Sequence, residues 1–502
     1  MKKRARSKFR SASKPSSDKN AYGQPAEESV RLTEFSCGRM LAWYALQTFD
    51  QTGKFISDTM NDCDKEHRLS GAERGLAVDL ASGVLRRRRT LDTILEALLS
   101  RPRNNVEADL WTLLQMGAWQ LLFARTPDHA AVDTTVNLTR KVGRARWSGF
   151  ANGILRNVTR LVTDNEQDSP AANAVPLTHG KFRLLNQAVF PDPFTERAGY
   201  AAAAFSMPPV LANRWAQRLP EATLWKSCFY GLQVPSVILR VNCLKASVQQ
   251  VLAAFEEAGL QAQPGLDDWS LKLNSAANLR RLPGYEEGWW SVQDEAAMHA
   301  VQMLNPLPGE KILDLCAAPG GKTVQLAELS EDKAEIIACD VSEGRLARIH
   351  ESVERLELNS VTVQQISADA SDIPAGPFDA VLVDVPCSNT GVLARRPEAR
   401  WRFKEGDLPE LIHLQATLLM TAYDLVKPGG RIVYSTCSIE PEETTELLHF
   451  LQERVPALHV EKQKMMLPGQ PADGAFCAVI FRALETETET KIEAQPTATN
   501  SQ

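Results

Sequence analysis

Two cysteines stand where chemistry is easiest to build. The stretch VDVPCSNTG (383–391) places Cys387 just past an apolar run, and VYSTCS (433–438) does the same for Cys437. Each run reads as a strand, and each cysteine is followed by Ser and then by a turn or helix start. A buried cysteine is ordinarily an inert small hydrophobe, and that reading suits Cys316, Cys339 and Cys477, which sit within or beside apolar strands. Position sets Cys387 and Cys437 apart. Backbone N–H groups at a helix start favour a thiolate. A free thiol, with a pKa of about 8.5, supplies only a few per cent of that nucleophile at neutral pH.

A third block lies upstream. ILDLCAAPGGKT (312–323) follows a strand and opens a helix, with two glycines at the turn. Such a turn brings backbone close to a ligand and presents free N–H groups. It is neither a GxxxxGK[ST] phosphate loop nor a GxGxxG turn, which disfavours a dinucleotide. Asp340 closes the next strand, where a carboxylate accepts from ribose hydroxyls, and Asp369 follows the strand after that. Singly such residues are more often helix caps. Three sites after successive strands favour a ligand, and carboxylates argue against phosphates. An adenosine with a cationic group fits, and S-adenosyl-L-methionine is such a molecule. A thiolate beside a methyl donor suits a pyrimidine. Its addition to carbon 6 of cytosine makes carbon 5 enamine-like, and covalent catalysis splits one hard step into two. Asp384 is placed to assist at ring N3. The final elimination gives a second thiol a task.

The elements that position these blocks form an α/β pattern from Trp289 onward. KILDLCA, AEIIACDV, VTVQQISAD, FDAVLVDV, GRIVYSTC and FCAVIFRA read as strands alternating with helices. This predicts a doubly wound parallel sheet, Rossmann-like, with ligands at the strands' carboxyl ends. Ahead of it, 31–163 reads as an all-α bundle, with Leu76, Leu80, Val84, Leu91, Ile94, Leu95 and Leu98 near helical spacing. ADLWTLLQMGAWQLLFA is apolar all round and should be buried. Residues 164–209 read as a linker rich in Pro, Asn, Asp and Ser, and 210–288 as a small α+β subdomain. The methyltransferase-like unit then spans 289–482. The ends, a basic tail over 1–30 and a polar tail over 483–502, read as disordered.

Composition sets the class. The chain has 502 residues, 44 % hydrophobic and 24 % charged, as in an ordinary multidomain globular protein. No apolar run reaches the roughly 18 residues of a membrane span. Nine cysteines without a CxxC pair disfavour a zinc site or a disulfide framework, so no metal is expected and a cytoplasmic location is. The net charge of −6 hides an excess over 68–160, with 15 Lys+Arg against 8 Asp+Glu. That excess fits a nucleic-acid surface or a solvated helix face.

DLCAAPGGKT, DVPCSNTGVLARRPEARWR and YSTCSIEPEE resemble the signature blocks of the Sun/Fmu family of RNA cytosine-5 methyltransferases. WWSVQDEAA, LRVNCLKAS and LPGQPADGAF match as well. AERGLAVDLASGVLRRRRTLD, LLQMGAWQLLF, DHAAVDTTVNLTRK and GFANGILRNV resemble the NusB-like domain of its RsmB branch. The resemblance covers roughly 35–482. It implies Cys437 as the nucleophile and Cys387 in product release. It implies a cofactor loop of Cys316, Ala317, Ala318, Pro319, Gly320, Gly321 and Lys322, with Asp340, Asp369 and Asp384 as further contacts, and Lys322 near the target base. It tilts the substrate to 16S ribosomal RNA over tRNA; separately, the protein is expected to be a monomer. One departure is Asn389, where the family has glycine; Asn tolerates a left-handed backbone. The RNA backbone is assigned to Arg86, Arg87, Arg88 and Arg89, to Arg144 and Arg146, and to Arg395, Arg396, Arg400 and Arg402, with Trp401 either stacked on a base or packed. The target base must be single-stranded or flipped out. The alternative class is a non-catalytic RNA-binding or assembly factor, against which both thiols, Asp384 and Lys322 argue.

Overall fold

The computed structural model describes residues 37–66, 69–273, 278–368 and 372–483. The tails expected over 1–30 and 483–502 lie outside the described residues, apart from Ala483. Among the described residues six helices come first: α1 (Gly38–Thr52), α2 (Ile56–Glu66), α3 (Gly71–Ala97), α4 (Ala108–Phe123), α5 (Asp128–Lys141) and α6 (Ser148–Leu161). Ser70 starts α3 by accepting the Glu73 N–H at its side chain, which satisfies one of the free donors of a helix start. The apolar α4 is buried on nearly every side, from Leu110 to Leu122.

The stretch expected as a linker is folded instead. It carries β1 (Val162–Gln167), β2 (Ala174–Pro176) and β3 (Phe182–Leu185) in an antiparallel sheet of order β1-β3-β2, and then α7 (Arg197–Ala204). Phe182, Phe190, Tyr200 and Phe205 pack edge-on and join the same apolar core as α1, α3 and α4. Its Pro, Asn and Asp mark tight turns between short elements, whereas its aromatics hold it to the bundle. Helices α8 (Pro209–Arg218) and α9 (Glu221–Leu232) extend that core, which also takes in Leu393, Ala399 and Ile439 from the segments around the two cysteines.

A small sheet of order β5-β6-β4-β7 follows, built from β4 (Val237–Val241), β5 (Ala262–Pro264), β6 (Ser270–Leu273) and β7 (Trp290–Val292), with α10 (Val248–Glu257) against it. Ser247 and Gln250 form a reciprocal cap at the start of α10. Arg240 on β4 ties this unit to the next through Glu328, at 2.6 Å with both side chains 2 % exposed.

The last unit is the α/β domain. Its elements are α11 (Glu295–Leu304), β8 (Lys311–Leu315), α12 (Gly321–Leu329), β9 (Glu335–Asp340), α13 (Glu343–Leu356), β10 (Val361–Gln365), β11 (Phe378–Asp384), α14 (Ala399–Arg402), α15 (Leu408–Leu425), β12 (Val426–Thr436), α16 (Thr445–Arg454), β13 (Leu458–Met466) and β14 (Ala475–Arg482). The strand order is β10-β9-β8-β11-β12-β14-β13. The first five strands are parallel, but β14 and β13 run antiparallel, so the sheet is mixed rather than wholly parallel. The edge strand β13, LHVEKQKMM, is exposed along most of its length and gives a weak strand signal. Among the described residues, no helix is long and apolar enough to cross a membrane.

Candidate active site

Register explains why two cysteines 50 residues apart meet. Strands β11 and β12 are parallel neighbours, with Asp384 opposite Ser435. Three residues beyond Asp384 and two beyond Ser435, the chain leaves the sheet at one edge, and the Cys387 and Cys437 sulfurs lie 2.9 Å apart as free thiols. Two loop features hold this approach. Asn389 adopts the left-handed backbone (φ 61°) and donates its side-chain amide to Cys387 O at 2.8 Å. Gly391 donates its N–H to Cys437 O at 2.9 Å and passes so close to Gly474 that a Cβ would stand 2.2 Å from the Gly474 carbonyl. The replacement of the family's glycine by Asn389 therefore keeps the turn.

The two sulfurs share a hydrogen bond. The hydrogen bond from Cys437 holds the Cys387 thiol below its ordinary value against the push of burial, and the Thr436 hydroxyl and Asn389 N–H help. The same bond, reinforced by burial and by the Cys387 charge, holds Cys437 well above its ordinary value. Of the two, Cys387 is the one shifted toward the thiolate, while the Cys437 sulfur also sits 3.3 Å from Asn389 Oδ1. Helix-start N–H groups were the expected source of thiolate character; the larger source is the second thiol.

Lys322, in the first turn of α12, reaches across to Asp384, with Nζ to Oδ2 at 2.7 Å. Burial pulls its ammonium pKa down, but the Asp384 charge and hydrogen bond outweigh that and raise it, with the Cys477 and Cys437 thiols adding. Ser435 donates to the other oxygen of Asp384 at 2.9 Å. A cation is thus fixed beside the thiol pair.

Behind the pair lies the glycine turn. Cys316 takes a left-handed backbone (φ 71°), and its buried thiol is pushed up by burial and by the nearby Asp340 and Asp384 charges. The Ala317 N–H donates to Cys339 O, the Ala318 N–H donates to Asp340 Oδ2 at 3.1 Å, and Pro319 is exposed. Gly320, at φ 103°, sits where a Cβ would press on Ile349 at 3.0 Å, so only glycine fits there, and Gly321 begins α12. Asp340 also accepts from Ser342 N–H at 3.0 Å. Asp369 lies outside the described residues.

Sequence reasoning passed over two acids. Asp314, quoted within the turn block but not singled out, is fully buried on β8 and accepts from Thr323 at 2.6 Å, while its Oδ1 has no hydrogen-bond partner among the described residues. Burial pushes its pKa to about 7, and the Asp384 and Asp340 charges add to this. Glu443, 0 % exposed, accepts from Ser388 N–H and Gln415 Nε2 at 2.9 Å each and from the Ser388 and Ser438 hydroxyls, and so clasps both cysteine loops. Only the repeated CS dipeptide hinted at a shared clasp. Three carboxylates at the ends of adjacent strands repel one another, and a cationic ligand relieves that. A ribose suits the lone pairs left on Asp340. The residues fit S-adenosylmethionine.

The arginines correct the expectation most. Arg86, Arg87 and Arg400 are buried and hold backbone carbonyls rather than RNA. Arg86 donates to Ala394 O at 3.0 Å, and Arg87 donates to Pro176 O at 2.6 Å. Arg400 donates to the carbonyls of Arg86, Ser206, Gly231 and Leu393. A guanidinium's five donors suit carbonyl clusters as well as phosphates. Arg88 pairs with Asp50, Arg89 is half-buried, and Arg146 pairs with Glu107. Arg144 lies over the Trp147 ring, and Arg395 is held at 2.5 Å by both Asp294 and Asp473. Trp401 is packed, its indole N–H donating to Leu85 O. Arg396 and Arg402 remain exposed, and both line an open cleft beside Cys387.

A mixed Rossmann-like sheet with this turn and these carboxylates defines an S-adenosylmethionine-dependent methyltransferase domain. Family models agree: residues 301–475 match the 16S rRNA methyltransferase RsmB/F model, 39–160 match the NusB family, and 207–280 match the RsmF/B-like ferredoxin-like domain. A probable ribosomal RNA small subunit methyltransferase B of Synechocystis is 34 % identical, over 83 % of this chain and 89 % of that one. Its counterpart in Salmonella arizonae is 32 % identical, over 88 % and 98 %. The chain belongs to the ribosomal RNA small subunit methyltransferase B family. The crystal structure of PH0851 shares the fold with a TM-score of 0.69 at 23 % identity, covering 88 % of this chain and 98 % of that one. A methyltransferase homologue from Pyrococcus horikoshii gives 0.50 at 26 %, covering 56 % and 97 %.

Proposed function

We propose that this chain transfers a methyl group to carbon 5 of a cytosine in 16S ribosomal RNA through a covalent bond between Cys437 and carbon 6 of the ring. The carrying observation is the 2.9 Å thiol pair beside the Lys322–Asp384 ion pair. S-adenosylmethionine, held by the 316–321 turn, Asp340 and Asp384, supplies an electrophilic methyl group. Cys437 loses its proton to solvent and adds to carbon 6 as the thiolate, which the Lys322 charge favours. The Asp384 carboxylate accepts from the exocyclic amine, while Lys322, with two N–H donors left, serves ring N3. That assignment shifts the N3 task from Asp384 to Lys322, because a carboxylate already paired with an ammonium accepts rather than donates. After methylation Cys387, as the thiolate, takes the carbon 5 proton, the bond between carbon 6 and sulfur breaks, and Cys437 leaves as the thiolate; both sulfurs then exchange protons with solvent. Arg396 contacts the RNA backbone, and Arg402 faces the RNA from the same cleft.

The test is bisulfite sequencing of total RNA from cells carrying the native protein, Cys437→Ser or Cys387→Ala. Loss of one 5-methylcytosine of 16S rRNA with Cys437→Ser fixes substrate and nucleophile together. Cys387→Ala is expected to accumulate an RNA adduct that survives denaturing electrophoresis, and Cys437→Ser is not. Loss at a tRNA position instead keeps the chemistry and changes the target. Unchanged methylation at every site removes the catalytic role of Cys437 and leaves an RNA-binding assembly factor.

A further inference from the structure

The cleft beside the thiol pair has a volume of about 230 Å³, and Cys387 and Asn389 form one wall. Neither Cys437 nor Lys322 nor Asp384 lines it, so it adjoins the reacting centre without covering it. It is below the roughly 300–1,000 Å³ of a site that encloses a whole ligand. Its far wall comes from a different domain: Phe55, at the turn between α1 and α2, stacks under the Arg402 guanidinium at 4.0 Å from the ring centroid. Arg402 also donates to Gly53 O, which holds the two domains' walls together. Phe403 adds a second ring, and Arg396, Arg402 and Lys404 face a single acid, Asp407. A planar cation on an aromatic ring, a second ring and an excess of positive charge suit a nucleobase with its phosphate.

We infer that the helical domain and the catalytic domain jointly form a subsite for one RNA nucleotide flanking the target cytosine, with its base stacked on the Phe55–Arg402 pair and its phosphate met by Arg396 and Lys404. The inference rests on the RNA reading above and assigns the helical domain a direct part in substrate contact, through Phe55.

The experiment compares Phe55→Leu with Phe55→Tyr in the full chain. A protein-free 16S rRNA transcript serves as probe, with direct binding measured alongside methyl transfer. Loss of a stacked base costs about 5- to 150-fold in affinity. Phe55→Leu should weaken binding and raise KM for RNA within that range, with the effect on KM exceeding that on kcat, and Phe55→Tyr should restore both. Equal affinity of Phe55→Leu and the native chain overturns the subsite, as does equal weakening by Leu and Tyr, which would mark the ring as interface packing. Binding is read without methyl transfer. A native chain that binds RNA yet methylates no cytosine therefore defeats the proposed function, while the Leu–Tyr comparison still decides the subsite.

Discussion

Asp314 shows how much one residue can carry. Its carboxyl is fully buried and pushed up to about 7, first by burial and then by the Asp384 and Asp340 charges. An acid whose folded pKa lies above its unfolded one favours folding while protonated. Its contribution is complete below the unfolded value near 3.8 and is lost as pH rises through 7. The loss is on the order of 4 kcal/mol, from about 1.4 kcal/mol per pKa unit. Asp314→Asn keeps an oxygen for the Thr323 hydroxyl and removes the titration. The thermal midpoint of the variant should rise relative to the native protein between pH 4 and 7 and hold its lead above. A constant offset across that range would show that Asp314 is not the titrating group. This residue stood inside a quoted block and was passed over, because a carboxylate within an apolar strand gives no local sign of what surrounds it. The thiols were legible for the opposite reason: each ends its own strand.

The element that sets the distance between the thiols is the pair of loops after β11 and β12, clasped by Glu443. Its carboxylate takes Ser388 N–H, Gln415 Nε2 and two serine hydroxyls. Glu443→Gln keeps the shape but places an amide N–H against donors. Hydrogen bonds to a charged group contribute about 1.5–3 kcal/mol each, so a destabilisation of about 2–4 kcal/mol is expected. A misplacement of about 1 Å can cost a hundredfold in rate, and kcat should fall by up to that amount, read at a temperature well below the variant's own midpoint. Native kcat in Glu443→Gln would show that the loops hold their spacing without the clasp. At this scale the sequence was legible where strands are apolar and loops carry contiguous motifs. It was illegible at β13, whose polar residues face solvent, and over 162–204. There the turn residues dominate the composition while Phe182, Tyr200 and Phe205 fold the segment onto a core formed by helices far away in the chain.

At the scale of the molecule, the arginine-rich runs serve as a joint. Arg86 on α3 reaches Ala394 O, Arg400 on α14 reaches Arg86 O, and the Trp401 indole reaches Leu85 O, so the helical domain grips the segment that follows Cys387. Burial pulls the pKa of both Arg87 and Arg400 down to about 9, with Arg86 and Arg400 adding to the first and Arg86 to the second. Charge runs were legible in the sequence, but their partners are carbonyls up to 349 residues away, and no local pattern separates such a joint from a phosphate-binding face. The two roles part under mutation. Arg400→Met leaves four carbonyls without their donor, and an unsatisfied buried group costs about 1–3 kcal/mol. Relief of a buried charge offsets part of this, so a net loss of about 3 kcal/mol is expected, seen as a lower thermal midpoint and as loss of methyl transfer. Arg396→Ala, on an exposed side chain that donates to Asn389 Oδ1 at 2.8 Å, should leave the midpoint within about 0.5 kcal/mol of native. It should instead weaken RNA binding and flatten its salt dependence by about one ion. A native midpoint with weakened RNA binding in Arg400→Met would return that arginine to the RNA surface and take the joint apart.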